Sequence, residues 1–127
     1  AMPEPRDAPA LRCTLLVLRC ADLDAARSFY EALGAHFVEE KHGEGPRHYA
    51  ATLGGMTLEL YPGEADVGTR VGFAVADVDA TVSRLQVLGA SVRAAPKDSP
   101  WGRRAVVVDP DGRSVELQQG QASERDE

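Results

Sequence analysis

The chain has 127 residues and a formal net charge of −6, with 27% charged and 43% hydrophobic residues. This suffices for one domain with a modest core and has the balance of a globular chain. No basic stripe is present to neutralise phosphates, which excludes nucleic acid, and the acidic balance disfavours an anionic membrane surface.

Residues 1–10 read as an N-terminal tail. Pro3, Glu4, Pro5, Arg6, Asp7 and Pro9 break up any apolar leader, and no apolar run approaches the roughly 20 residues that span a bilayer. The expectation is therefore a cytoplasmic protein. A first strand is predicted over Leu11 to Cys20. Its Leu16, Leu18 and Cys20 share one apolar face, suited to packing on a helix, while Leu15, Val17 and Arg19 form a mixed face, as in a cavity wall. Cys13 and Cys20 on one such strand lie about 23 Å apart at ~3.3 Å per residue. A disulfide needs Cα atoms within about 7 Å, so both read as reduced, small buried hydrophobes.

Asp22 is a fitting N-cap, because its carboxylate accepts from the free N–H groups of a first helical turn. Leu23, Ala26, Tyr30 and Leu33 recur at helical spacing, and Gly34 suits the left-handed residue after a helix end. Phe29 and Tyr30 read as core. Three short strands follow near Ala35–Glu39, Arg47–Leu53 and Met56–Tyr61, with Gly54-Gly55 as a two-residue hairpin turn. Glu64 to Thr69 is a connector.

The same order then repeats. Val71, Phe73 and Val75 alternate with Arg70, Gly72 and Ala74. Asp77 caps a helix bearing Val78, Val82, Leu85 and Leu88, and Gly89 ends it. Strands are predicted near Ser91–Ala94, Arg103–Val108 and Ser114–Gln118, with Asp109-Pro110-Asp111-Gly112 as a strong turn. Residues 120–127 read as an acidic tail. The segment from Leu16 to Ala25 aligns with Val71 to Ala80 at an offset of 55 residues, which still holds where Leu33-Gly34-Ala35 meets Leu88-Gly89-Ala90. Leu58-Glu59-Leu60 matches Val115-Glu116-Leu117 at an offset of 57. The fold class expected is α+β: two tandem βαβββ modules, about 11–63 and 70–119, whose mixed sheets curve around a shared cavity.

Ala21-Asp22-Leu23, Ser28-Phe29-Tyr30, Leu33-Gly34, Pro100-Trp101-Gly102-Arg103, Asp109-Pro110-Asp111-Gly112 and Val115-Glu116-Leu117 together resemble the vicinal oxygen chelate superfamily of glyoxalases, extradiol dioxygenases and bleomycin-resistance proteins. The resemblance covers nearly everything between Leu11 and Gln119. It implies metal ligands on the first and fourth strand of each module, at positions that here hold Leu15, Glu59, Arg70 and Glu116. The two glutamates match. Leu15 has no lone pair, and Arg70 carries a permanent positive charge that cannot ligate a cation. Two carboxylates fall short of the three protein ligands a divalent site normally needs. No metal and no cofactor are therefore expected.

Without a cation, Glu59 and Glu116 would repel, and Arg70 is placed to pair with both. It serves as a structural ion pair, as a ligand anchor, or as both. His48 and Tyr61 are placed on the cavity face, with Arg19 at its rim. His36, His42 and His48 are not spaced as a ligand motif on one element. Trp101 follows Pro100 in a loop, where an indole should cover something. The resemblance to bleomycin-resistance proteins implies that its Pro-Trp-Gly segment borders a drug groove. The alternative is an indole packed on its own hairpin.

The expected ligand-binding set is thus Leu15, Val17, Arg19, His48, Glu59, Tyr61, Arg70, Trp101 and Glu116, with no residue assigned a catalytic role. The resemblance implies sequestration of a hydrophobic or aromatic small molecule, and a homodimer. The alternative is a glyoxalase-like lyase or isomerase using Glu59 or Glu116 as base, with or without a divalent metal.

Overall fold

Asp22 and Asp77 start the two helices as their sequence positions predict. Each has extended backbone angles, and each carboxylate accepts from the N–H three residues on, of Ala25 and of Ala80, at 3.0 Å. The helices run from Leu23–Ala32 (α1) and Val78–Val87 (α2). Both end ahead of a glycine at positive φ, Gly34 and Gly89, where a side chain would be strained. The structure, a computed structural model, describes residues 11–120. The tail expected at 1–10 and all but Gly120 of the tail expected at 120–127 lie outside the described residues.

The first module supplies β1 (Leu15–Cys20), β2 (Val38–Glu40), β3 (His48–Leu53) and β4 (Met56–Pro62). The second supplies β5 (Val71–Val75), β6 (Val92–Ser99), β7 (Gly102–Val108) and β8 (Ser114–Gln119). Each module is a four-stranded sheet, in the order β1-β4-β3-β2 or β5-β8-β7-β6. The first and last strands of each module pair in parallel and the rest antiparallel. The expected α+β pair of βαβββ modules is therefore present.

Three strands differ from the sequence reading by more than one residue at an end. β1 begins at Leu15 rather than Leu11, which leaves Cys13 exposed while Cys20 is buried; both thiols are free. β2 is shortened to three residues. β6 runs on to Ser99 through Pro96, with breaks in register after Val92 and Ala94. Proline is tolerated there because β6 is the sheet edge, where its missing N–H need not enter a ladder.

Alternation sorts the side chains. Leu18, Cys20, Tyr49, Ala51, Leu58 and Leu60 of the first sheet are buried with Leu23, Ala26, Phe29 and Tyr30 of α1. Val75, Ala105, Val107, Val115 and Leu117 are buried with Val78, Val82 and Leu85 of α2. Leu88, expected on that stripe, is exposed, and Thr81 lies buried within it. The modules meet through α1 and α2 and through a buried polar knot at the β7–β8 turn. There Asp109 Oδ1 accepts from the N–H groups of Asp111 and Arg113 at 2.9 and 3.0 Å. Asp109 Oδ2 accepts from Tyr30 Oη at 2.6 Å and from Arg113 Nη1 at 2.9 Å. Asp111 accepts from the Ala21 N–H, and Arg113 donates to the Arg19 carbonyl.

Candidate functional site

The face of each sheet turned away from the helices carries the candidate residues. In the first sheet the register builds rows across the strands. Arg19, Tyr61, His48 and Glu40 stand side by side, and Val17, Glu59, Ala50 and Val38 form the next row. Leu15 pairs with Thr57 one row further. Six of the nine expected residues therefore share one face: Leu15, Val17, Arg19, His48, Glu59 and Tyr61. Leu15 and Val17 are 52% and 39% exposed, so this face offers bare apolar surface beside the carboxylates of Glu59 and Glu40.

His48 is the exception to that openness, being buried. Its ring stacks on Tyr61 with centroids 4.2 Å apart. Its Nδ1 lies 3.2 Å from the Pro46 carbonyl.

The second sheet repeats the pattern with other chemistry. Gly72, Glu116, Val106 and Ala94 form the row equivalent to that of Glu59. Beside it Ala74, Gln118 and Arg104 fall in line, with Arg104 in the place His48 holds in the first module. A hollow of about 420 Å³ is lined by Ser99, Trp101, Arg104, Glu116 and Gln118. Trp101 sits on the hairpin between β6 and β7. Its N–H donates to Ser99 Oγ at 3.2 Å, and its carbonyl accepts from Gln118 Nε2 at 2.9 Å. The main chain is thus pinned while the indole is 55% exposed at the mouth of the hollow.

One expectation needs correction. Arg70 has no ion-pair partner among the described residues. The cation on Glu116 is Arg104, which donates to its carboxylate. Arg70 precedes β5 and lies outside its ladder, whereas Arg104 is held in register opposite Gln118, two residues along from Glu116 and on the same face. Strand alternation could have found Arg104, since it shares a parity with Val106 and Val108. The candidate residues themselves are divided between hollows. Glu116 and Trp101 line the hollow of the second sheet, while Val17 and Arg19 line a separate one of about 290 Å³ with Glu64, Asp66, Thr69 and Arg113. Neither hollow brings Glu59 to Glu116.

The four positions at which the resemblance implies a metal do not suit one. Leu15 offers no donor, Arg70 is a cation, and the carboxylate of Glu116 is engaged by Arg104. No step through a metal at these positions is derived.

A family profile described as the Glyoxalase/Bleomycin resistance protein/Dioxygenase superfamily matches residues 12–117. An uncharacterized protein of Mycolicibacterium smegmatis is 35% identical over 109 residues, covering 80% of this chain and 87% of its own. The anthracycline biosynthesis protein DnrV of Streptomyces peucetius is 53% identical over 51 residues, but these are only 38% of this chain and 18% of DnrV. Among solved structures, TnmS3, an antibiotic binding protein from Streptomyces sp. CB03234, superposes with a TM-score of 0.68. It has 28% identity, and the match covers 88% of this chain and 98% of TnmS3.

Proposed function

We propose that this chain, which belongs to the Glyoxalase/Bleomycin resistance protein/Dioxygenase superfamily, binds a hydrophobic or aromatic small molecule without a metal at the family's ligand positions. One observation carries the reading: Arg104 occupies the carboxylate of Glu116, directly beside the exposed indole of Trp101. An aromatic face next to a charged, hydrogen-bonding pair suits a planar organic molecule bearing polar substituents. The likeness to an antibiotic binding protein, TnmS3, supports the same class of ligand. In this reading Trp101 and Glu116 contact the ligand at the second sheet. The first sheet offers a second face, with apolar contact from Leu15, Val17 and Tyr61 and polar groups from Arg19, His48 and Glu59. Arg70 stands ahead of β5 as a further polar group.

A homodimer in the cytoplasm completes the proposal. Leu15, Val17 and Trp101 are large exposed apolar groups on the open faces, and a second copy would cover them. No helix among the described residues is long and apolar enough to cross a membrane.

The test is isothermal titration of the full chain with a panel of planar aromatic antibiotics. Saturable binding that Arg104→Met weakens is the expected result. Absence of binding across the panel, together with turnover of a small metabolite lost in Glu59→Gln or Glu116→Gln, would replace it with the lyase or isomerase reading.

A further inference from the structure

The hairpin joining β2 to β3 gathers three residues that lie apart in sequence. Glu40 ends β2 and is the direct cross-strand partner of His48. His42 stands two residues beyond Glu40, at the start of a turn closed by the Gly45 N–H on the His42 carbonyl at 2.9 Å. Glu40 Oε1 lies 3.3 Å from His48 Nε2 and 3.3 Å from His42 Nε2. One ligand atom from each of the three residues can be chosen so that all lie within 4.8 Å of one another.

The tautomer of His48 gives this cluster its meaning. The Pro46 carbonyl can only accept, so the Nδ1 facing it at 3.2 Å carries a proton. In the neutral ring Nε2 then carries the lone pair, which faces Glu40 Oε1 at 3.3 Å and the Tyr61 hydroxyl at 3.4 Å. A proton or a metal ion between Nε2 and the carboxylate satisfies both acceptors, and the metal ion also takes in His42, which lies against the same Glu40 oxygen. An imidazole whose far nitrogen donates to a backbone carbonyl is also the usual posture of a metal-ligating histidine. Tetrahedral bonds of ~2.0–2.1 Å place neighbouring donor atoms about 3.3–3.4 Å apart. Both Glu40–histidine separations already fit that spacing, and exposed His42 has the freedom to close the third.

We propose that Glu40, His42 and His48 form a site for a divalent transition metal of the zinc class. Two imidazoles and a carboxylate suit such borderline cations, whereas magnesium and calcium seek mostly oxygen donors. Three protein ligands leave a fourth position for water or for an oxygen or nitrogen donor from a bound molecule. The Tyr61 hydroxyl, 3.4 Å from His48 Nε2, stands ready to hydrogen-bond that fourth ligand. The site lies in the row of Arg19 and Tyr61 on the open face of the first sheet, away from Leu15, Arg70 and Glu116. It differs from the expectation drawn from sequence, where the histidines share no element and no metal was expected. It shares His48 and Tyr61 with the first-sheet face of the small-molecule reading but does not use Trp101, Arg104 or Glu116 of the second sheet.

The experiment is a titration of the full chain, free of any histidine tag, with cobalt(II), followed by its visible d–d absorption. Zinc(II) is then added as competitor, and magnesium(II) in excess as control. Saturation at one cobalt per chain, displaced by zinc and not by magnesium, is expected. Glu40→Gln and His42→Ala should each weaken binding at least about tenfold, with metal-free thermal melting unchanged. Glu116→Gln should leave the affinity within about threefold. The proposal is overturned by absent or non-stoichiometric cobalt absorption, by Glu40→Gln and His42→Ala that bind as the parent does, or by loss of binding in Glu116→Gln.

Discussion

The Tyr30 hydroxyl of α1 donates to Asp109 Oδ2 in the β7–β8 turn at 2.6 Å, joining the two modules through one buried carboxylate. The same oxygen accepts from Arg113 Nη1, and the Arg113 and Asp109 side chains are 1% and 0% exposed. Removing one partner of such a pair leaves a desolvated charge behind, at a cost of ~3–5 kcal/mol. Arg113→Met should lose that much in urea unfolding. Tyr30→Phe, which deletes a single bond to a charged acceptor, should lose ~1.5–3 kcal/mol. A loss below about 1 kcal/mol for Arg113→Met would show that the knot does not hold the modules together.

The two thiols should separate chemically. Cys13 is exposed and Cys20 buried. Burial, reinforced by the negative charge of Asp111, pushes the Cys20 thiol up from 9.0 to about 11. A thiol-specific reagent should therefore modify one cysteine quickly in the native protein, and the second only in denaturant. The same shift sets a sign for alkaline stability. The folded state holds the proton more tightly, so the contribution is intact below about 9 and is lost as pH rises toward about 11. Cys20→Ala should flatten the alkaline limb of the stability profile. An unchanged limb would assign it to other groups.

Much of this architecture is legible in the sequence because it is written in local terms. Asp22 and Asp77 announce helix starts, Gly34 and Gly89 announce ends, and the alternation of Leu16, Leu18 and Cys20 assigns a buried face. What escapes is set by pairing across strands. Arg104 meets Glu116 because β7 and β8 are in register, and Glu40 meets His48 because β2 folds back on β3. Neither spacing forms a motif along the chain. The buried role of Arg113 was equally hidden, since an arginine after a turn glycine ordinarily belongs to solvent.

Coupling at the second sheet is expected between Arg104 and Glu116, with Arg70 uncoupled. Both partners are 40% exposed, so the pair should be worth only ~0.2–1 kcal/mol. A double-mutant cycle on Arg104→Met and Glu116→Gln should show an interaction of that size, and one on Arg70→Met and Glu116→Gln should be additive. The reverse pattern would restore the pairing first read from sequence.

Dimerisation is expected from the edges as well as the faces. Among the described residues each sheet ends in strands without a second ladder partner, β1 and β2 in one and β5 and β6 in the other. Unpaired edges invite association unless covered. Light scattering at micromolar concentration should give about twice the 13.6 kDa chain mass. A monomer persisting at high concentration would mean that each open face acts alone.

Trp101 should report on the ligand. It is the single tryptophan of the chain, so its emission needs no separation from others. Its main chain is held by Ser99 and Gln118 while its exposed side chain lines the same hollow as Arg104 and Glu116. A planar molecule entering that hollow would cover the ring at little ordering cost, because the hairpin is already placed. An aromatic contact of this kind contributes ~0.5–1.5 kcal/mol beyond the area it buries. Titration should quench or shift the emission saturably. Trp101→Ala should weaken binding by about tenfold, the equivalent of ~1.4 kcal/mol. The fold should persist in that variant, since the exposed indole contributes nothing to the buried cluster beneath β7 and β8. Calorimetric binding that survives Trp101→Ala unchanged would move the ligand to the first sheet, where Leu15, Val17 and Tyr61 present the other apolar face.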